Sequence, residues 1–154
     1  YLEEKKDKER LLAIAKASSS LPYVCPITYV DGRPMLDGGI VDSIPVLRAI
    51  EQGYERNVVV LTRNRGYRKS EKDIRVPRFI YTRYPRLRVV LSRRCQVYNQ
   101  QLEMIERMED EGRIIAIRPE QRVVVNRIEK DIRKLTSLYE EGYACAEKVM
   151  GQFL

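Results

Sequence analysis

The sequence predicts an α/β fold with a parallel sheet, and two patterns support this fold class. Residues 57–62 read Asn-Val-Val-Val-Leu-Thr, a near-continuous β-branched run of the kind found in strands buried on both faces of a parallel sheet. A predicted strand over 34–36, a helix over 44–53 and this run follow one another, and that order predicts a right-handed βαβ unit. With 154 residues, 44% hydrophobic and 33% charged, the chain suits one soluble globular domain.

Apolar spacing and turn residues predict the remaining elements. Asp31-Gly32 lies between the apolar segments 27–30 and 34–36, which predicts two short strands joined by a tight turn. Gly53 and Gly112 are expected to end the helices before them, and a strand is predicted over 113–119. The predicted helices are 1–16, with an exposed charged start and a packed end, 44–53 with Ser43 as N-cap, a short one over 77–81, 86–110 and 130 onward. In the helix 86–110 one face carries Leu87, Leu91, Tyr98, Leu102, Ile105 and Met108. In the last helix the side chains predicted to point inward are Ile132, Leu135, Tyr139, Tyr143, Ala146 and Val149.

Composition excludes several kinds of active site. The chain has no histidine, so it cannot by itself build a Ser-His-Asp triad, a Cys-His pair or a histidine-ligated metal site. Its cysteines, Cys25, Cys95 and Cys145, have neither metal nor redox spacing, which indicates free thiols in a reducing compartment. No uncharged apolar run reaches the length of a membrane span, and no signal-like stretch is present. We therefore expect a cytoplasmic location and, because the chain starts at Tyr1 rather than Met, the interior of a longer protein.

The net charge of +7 indicates a surface that attracts polyanions. Arginines and tyrosines alternate in part of 78–94, a composition that superficially suits single-stranded nucleic acid, although a solvated basic side of a helix is the favoured interpretation. No helix-turn-helix, zinc-finger or ribonucleoprotein signature is present, so we expect no nucleic-acid partner. The side chains concerned are Arg78, Arg83, Arg86, Arg88, Arg93, Arg94, Tyr81 and Tyr84.

The segment Asp37-Gly38-Gly39 carries the best candidate for catalysis. Asp37 is predicted at the end of the strand 34–36, and the two glycines let the backbone turn tightly and approach another group closely. A carboxylate at such a strand end can act as general base towards a hydroxyl group. The local pattern alone favours an ordinary Asp-Gly turn instead. Asp42 is interpreted as a charge that complements the N-terminus of the following helix.

Small hydroxyl residues and proline break the first helix in the run Ala17-Ser18-Ser19-Ser20-Leu21-Pro22. This run is either a polar linker or a loop that passes close to a site, where small side chains make room. The sequence contains no G-x-x-x-x-G-K-[ST] or G-x-G-x-x-G phosphate loop. It contains no G-x-S-x-G nucleophile elbow either.

Three segments, in this order, resemble the C-terminal half of the patatin-like phospholipases. The run 17–22 resembles the family's Ala-Ser-x-Ala-x-Pro-like loop, with Ser20 where alanine is usual, and Val30-Asp31-Gly32-Arg33 resembles its Asp-Gly turn. Residues 36–46 resemble its Asp-Gly-Gly motif followed by a Pro-Val helix start. Further segments look like one bacterial subgroup of the family, so the resemblance spans nearly the whole chain; they are 63–69, 117–119, 127–131 and 138–143.

The resemblance implies a three-layer α/β/α patatin-like fold with a mostly parallel sheet, incomplete in this chain. Residues 1–62 would carry the Asp-Gly-Gly motif, and 63–154 would form a subgroup-specific extension. The implied activity is that of a serine acyl-ester hydrolase, which uses a Ser-Asp dyad without metal or cofactor on lipid or phospholipid acyl esters. Asp37 would be the base. The implied cleft-lining or motif residues are Gly38, Gly39, Ser18, Ser19, Ser20 and Pro22.

The family's nucleophilic serine and its glycine-rich oxyanion loop lie N-terminal to this region, and neither occurs in the 154 residues. The resemblance therefore implies that the chain is inactive alone and that its first partner is the missing N-terminal half of the same protein. The positive charge would favour peripheral contact with anionic membranes. A noncatalytic interaction fragment is the alternative, and a basic nucleic-acid-binding domain is a weaker one.

Overall fold

The computed structural model describes residues 2, 4–70, 79–126 and 128–151, which form two compact units. One unit comprises Tyr1–Ile44 with Glu71–Tyr98, and the other comprises Pro45–Ser70 with Asn99–Leu154. Helices and small sheets together agree with the predicted mixed α/β class. In chain order the elements are α1 (Lys8–Ser18), β1 (Thr28–Val30), β2 (Arg33–Met35), a 3₁₀ turn (Gly38–Ile40), α2 (Val46–Glu51), β3 (Asn57–Val60), α3 (Pro85–Asp110), β4 (Ile114–Ile117) and α4 (Ile132–Met150).

Helix α1 begins at Lys8, because Asp7 caps it by accepting a hydrogen bond from the Arg10 backbone N–H at 3.0 Å. The predicted helix start at Tyr1 is wrong, because the described residues before this cap, 2 and 4–6, are not helical. Glu4 lies in that non-helical segment and accepts three successive backbone N–H groups, which lowers the pKa of its carboxyl to about 2. The helix extends through Ser18, so the expected break comes two residues later than predicted.

The predicted hairpin is confirmed in the first unit. Strand β1 pairs antiparallel with β2, from Thr28 opposite Met35 to Val30 opposite Arg33. Asp31 and Gly32 both have positive φ, 50° and 71°, as the two-residue type I′ turn requires. The Arg10 guanidinium reaches the turn and binds the Asp31 carboxylate, with its Nη2 at 2.9 Å from Oδ2. This ion pair fixes α1 to the hairpin and lowers the pKa of Asp31.

The second unit holds the parallel pair. Strand β3 pairs with β4, with Asn57 opposite Ile114 and Val60 opposite Ile117. The predicted βαβ unit is wrong, because β3 takes β4 as its partner and β2 pairs with β1. The prediction of burial on both faces is also wrong for β3. Val59 is buried, but Val58 and Val60 are exposed.

Helix α3 confirms the long apolar period of the sequence. Leu91, Leu102, Ile105 and Met108 are buried, and the other predicted members of this face are half-buried. The helix ends where expected, since Gly112 has φ of 67° and its N–H bonds the Glu109 carbonyl. Among the helices that the structure describes, none combines the length and the apolar character of a membrane span.

Helix α2 confirms its predicted end but not its predicted start. Gly53 has φ of 89° and donates to the Ile50 carbonyl at 2.9 Å, while Tyr54 donates to Ala49 at 3.1 Å. Those two bonds form a Schellman ending. At the other end the cap position is Pro45 and not Ser43, because the Ser43 hydroxyl is engaged elsewhere.

Helix α4 packs on β4 by only part of its apolar surface. Cys145 is buried, and Leu138 and Val149 are half-buried. The predicted inward direction is wrong for most of the set that the sequence singled out. The exposed members are Ile132, Leu135, Tyr139 and Tyr143.

Acidic side chains of α3 neutralise the basic loop 63–70. Glu106 accepts the Gly66 N–H at 3.0 Å and pairs with Arg68 at 2.8 Å, which lowers the pKa of Glu106 to about 2. Arg65 pairs with Asp110 at 2.7 Å. Asn99 closes the loop by bonding both the N–H and the carbonyl of Lys69. The loop is therefore an ordered part of the second unit.

Candidate functional site

Asp37 lies two residues beyond the end of β2, in the first unit, as the sequence predicts. Its backbone N–H donates to the Ser20 carbonyl at 3.0 Å, which ties the strand end to the segment that follows α1. Its own carbonyl accepts from Ile40 at 3.2 Å and starts the 3₁₀ turn. Ile40 is buried and anchors that turn in the unit. The backbone of Asp37 is therefore held on both sides.

The carboxylate of Asp37 caps the turn that it precedes. Its Oδ1 accepts the Gly39 backbone N–H at 2.7 Å, so one carboxylate oxygen has a fixed position. The Ser43 hydroxyl donates to the Gly39 carbonyl at 2.7 Å. Ser43 thus braces the residue that orients Asp37, a role that its prediction as a helix cap missed. Asp42 joins the same turn through its backbone N–H, which donates to the Gly38 carbonyl at 3.0 Å.

An apolar cavity of about 280 Å³ adjoins Asp37. Asp37 and Gly38 contribute to its wall, together with side chains of the hairpin, the 3₁₀ turn and the start of α3. Most of this wall is apolar, which suits a hydrocarbon group rather than a charged one. The lining residues are Ile27, Pro34, Met35, Leu36, Asp37, Gly38, Ile40, Val41, Tyr84 and Leu87.

Tyr84 is a lining residue that no sequence pattern assigned to the site. It directly precedes Pro85, the first residue of α3, and its hydroxyl bonds that of Tyr29, which raises the pKa of Tyr84. Nearby, the Tyr81 hydroxyl accepts the Tyr23 backbone N–H at 2.9 Å. Pro85 marks the start of α3 in the sequence, and this could have indicated that the side chain before it is held in place. The partner of Tyr84, Tyr29, is distant in the chain and could not be predicted.

Ser20 of the predicted loop bonds the Asp37 backbone, but none of the three serines of that loop lines this cavity. Ser18 is the last residue of α1, and Ser19 follows as its C-cap, with its hydroxyl on the Ala15 carbonyl at 3.0 Å. Ser20 is buried; its hydroxyl donates to the Lys16 carbonyl at 2.8 Å and contacts the Thr28 hydroxyl at 2.8 Å. Pro22 is also buried. In the structure Ser20 supports Asp37 through its backbone carbonyl.

Gly38 and Gly39 differ in what surrounds them. A Cβ on Gly39 would lie 3.1 Å from Oδ1 of Asp37, whereas a Cβ on Gly38 would have no described atom within 4 Å. The second glycine of the Asp-Gly-Gly motif therefore allows the close approach of the backbone to the Asp37 carboxylate. No contact within the described chain requires a glycine at the first position.

The predicted arginine patch is only partly a solvated surface. Arg83, Arg86 and Arg93 are exposed, whereas Arg88 and Arg94 are half-buried. Arg78 lies outside the described residues. The described members of the patch belong to the first unit, and the paired arginines of 63–70 belong to the second.

The other cavities and side-chain clusters of the described chain are weaker candidates for a functional site than the region around Asp37. A larger cavity of about 750 Å³ lies in the second unit beside Asn57 and Ile114, the first residues of β3 and β4. Ligand sites of parallel sheets gather at the opposite, carboxyl ends of the strands. Within the described ranges, no three acidic or cysteine side chains come together as a set of metal ligands.

Comparison with known families divides the chain. Residues 1–50, which include Asp37-Gly38-Gly39 and Ser43, match the model of the patatin-like phospholipase family. The match ends well short of the near-complete coverage that the resemblance suggested. Residues 84–154 match a second model, a domain of unknown function (DUF6363), and no curated protein matches the chain. The segment that builds the Asp37 site is thus similar to patatin-like phospholipases.

Proposed function

We propose that this chain supplies the carboxylate base of a serine acyl-ester hydrolase that acts on lipid or phospholipid acyl esters. The observation that carries the proposal is the position of Asp37. Its carboxylate stands at a strand end on the wall of an apolar cavity, with one oxygen fixed by the Gly39 N–H at 2.7 Å. The match of 1–50 to the patatin-like phospholipases supports the class of reaction.

The proposed chemistry uses the second oxygen of Asp37. A serine hydroxyl attacks the ester carbonyl carbon while its proton passes to the Asp37 carboxylate. The C–O bond to the alcohol then breaks, and the alcohol leaves with that proton. Water attacks the acyl-serine ester and loses a proton to Asp37; the bond from the acyl carbon to the serine oxygen then breaks, that oxygen takes the proton back from Asp37, and the fatty acid is released. Backbone N–H groups stabilise the oxyanion in both steps.

The serine and the oxyanion loop come from outside these 154 residues, because no G-x-S-x-G occurs in them. We therefore propose that the chain is inactive alone and works with an N-terminal part of the same protein. We also propose residues 1–62 as the part that carries the motif and 63–154 as an extension. The two separate family matches, 1–50 and 84–154, support a division in this region.

The proposed partners are an acyl-ester substrate and an anionic membrane surface, with no nucleic acid among them. The net charge of +7 supports contact with anionic lipid headgroups. Against nucleic acid stand the ion pairs of the basic loop, where Arg65 and Arg68 already bind carboxylates of α3. A cytoplasmic, peripheral location is part of the same proposal.

The test is hydrolysis of a p-nitrophenyl acyl ester by the polypeptide that carries both the G-x-S-x-G segment and this chain. Asp37→Asn keeps the shape of the side chain and removes its basicity, so we expect turnover to fall by about 10²- to 10⁴-fold. Asp42→Asn makes the same chemical change five positions away and should leave turnover near that of the wild type. The 154-residue chain alone should show no hydrolysis.

The assignment of Asp37 as the base is refuted if Asp37→Asn and Asp42→Asn both hydrolyse the ester at the wild-type rate. Far-ultraviolet circular dichroism and thermal unfolding of both variants establish that they fold alike.

A further inference from the structure

Helix α4 carries an apolar stripe that nothing in the described chain covers. The stripe comprises Ile132, Leu135, Tyr139, Tyr143 and Met150, which are 76%, 43%, 71%, 57% and 42% exposed. Their spacing places them on one face of the helix, beside the face that packs on β4. Single exposed apolar residues are common, but a row of large ones along one helix marks an interaction surface.

We propose that this stripe is a dimer interface, in which α4 packs antiparallel against α4 of a second copy of the chain. The spacing of the stripe points to this occupant. Four of its five members, residues 132, 139, 143 and 150, are separated by seven, four and seven positions, a pattern that reads the same in both directions, while Leu135 flanks it. A two-fold interface requires such a self-complementary surface. Reversal about position 141 brings Ile132 to Met150 of the partner subunit, and Tyr139 to Tyr143 of the partner subunit.

Charges along one edge of the stripe fit the same arrangement. Arg133, Glu140 and Glu147 follow at intervals of seven, and the first two come one position after Ile132 and Tyr139 of the stripe. In antiparallel helices like edges meet, and in this register Arg133 lies two positions, about 3 Å along the axis, from the level of Glu147 of the partner subunit, within reach of its long side chain; the symmetry makes this ion pair twice. The Arg133 side chain is 95% exposed, and its described acidic neighbour is Asp131 at 3.7 Å. Glu140 lies two positions from the level of Glu140 of the partner subunit on the same edge, where their repulsion weakens the dimer modestly.

Gly142 supplies a third, independent observation. It lies inside α4, where glycine is a poor helix residue, and one position from the centre of the stripe. A Cβ placed on Gly142 would meet no described atom within 4 Å, so no close contact within the described chain accounts for it. Two helices that cross at this point approach most closely there, and the absent side chain makes room for the second backbone.

A membrane surface is the competing occupant, and the charges disfavour it. Helices that lie on anionic membranes carry lysine and arginine along the edges of their apolar face. Here the edge carries two glutamates and one arginine. The second copy is therefore the better partner for this stripe, and the inference does not depend on the proposed hydrolase activity.

Sedimentation velocity over a concentration series tests the proposal by giving the dimer dissociation constant. We expect a reversible dimer for the wild type, and a dissociation constant raised at least about a hundredfold by Tyr139→Lys, which places two charges in the apolar centre. Tyr54→Lys is the matched control, because Tyr54 is 63% exposed in the same unit but lies off α4. It should leave the dissociation constant unchanged.

Charge exchange tests the antiparallel register. Arg133→Glu and Glu147→Arg should each raise the dissociation constant by roughly tenfold, and the double variant should restore it, because each copy then regains two ion pairs. Gly142→Ala should raise the melting temperature of the monomer and weaken the dimer, two effects of opposite sign that a purely intramolecular role cannot give. A wild type that stays monomeric at its highest soluble concentration overturns the proposal, whether or not it binds anionic vesicles. A double variant that stays dissociated overturns the antiparallel arrangement.

Discussion

Substitution of Gly39 by alanine tests how closely the position of the Asp37 carboxylate controls the rate. The new Cβ would lie 3.1 Å from Oδ1, whereas ordinary contacts begin at 3.4 Å, so the carboxylate must retreat by about 0.3 Å. The hydrogen bond from Gly39, now 2.7 Å, would lengthen to roughly 3.0 Å and still form. The variant should therefore fold normally with a displaced base.

The size of the expected effect follows from that displacement. Because a misplacement of 1 Å costs about a hundredfold in rate, a shift of roughly 0.3 Å should lower kcat by about three- to tenfold. Gly38→Ala is the matched control, since it makes the same substitution in the same turn and its Cβ meets no described atom within 4 Å. It should keep kcat within about twofold of the wild type.

The assay is steady-state hydrolysis of a p-nitrophenyl acyl ester by the polypeptide that contains the serine segment. The loss should appear in kcat with little change in KM, because the cavity wall beside Asp37 stays intact. Equal rates for Gly39→Ala and Gly38→Ala would refute this geometric argument, and so would a loss confined to Gly38→Ala.

Two further predictions concern the two units separately. Because the pKa of Glu106 falls from 4.5 to about 2 in the folded protein, its contribution is present above about pH 4.5 and is lost as the pH falls to about 2. Glu106→Gln should therefore lower the free energy of unfolding by about 1–2 kcal/mol at neutral pH, after allowance for the exposure of its partner Arg68. In acid unfolding the variant should show a flatter pH dependence in that window, and an unchanged acid transition would contradict this. In the first unit, Ser20→Ala removes a buried hydroxyl and should cost about 1–2 kcal/mol in urea unfolding, while the exposed Ser18→Ala should cost less than about 0.5 kcal/mol, and equal costs would contradict the assigned role of Ser20.

Features set by neighbouring residues were predictable from the sequence. The Asp31-Gly32 turn needs positive φ at both positions, and few residue pairs adopt that conformation as readily. Gly53 and Gly112 end their helices for the same local reason. The apolar period of α3 runs for about seven turns, which leaves little room for another interpretation. The position of Asp37 after β2 followed from these local rules.

Features set by distant partners were not predictable. The choice of β4 as the neighbour of β3 joins residues more than fifty positions apart, and no local pattern encodes it. Ser43 has the chemistry of a helix cap, but the nearby Gly39 carbonyl competes for its hydroxyl and binds it. Helix α4 has an apolar arc that is wider than the face that meets β4, so periodicity could not tell which part of the arc is covered. Tyr84 is distant from Asp37 in the sequence, and only the folded structure brings it to the wall of the cavity.

The most direct test of the central claim is the rate at which a fluorophosphonate labels the serine of the complete polypeptide. This reaction needs an activated serine but no acyl-chain recognition, so it isolates the role of Asp37 as base. We predict that Asp37→Asn lowers the labelling rate by about 10²- to 10⁴-fold while Asp42→Asn leaves it unchanged. Equal labelling rates in the wild type and in a folded Asp37→Asn variant would contradict the claim.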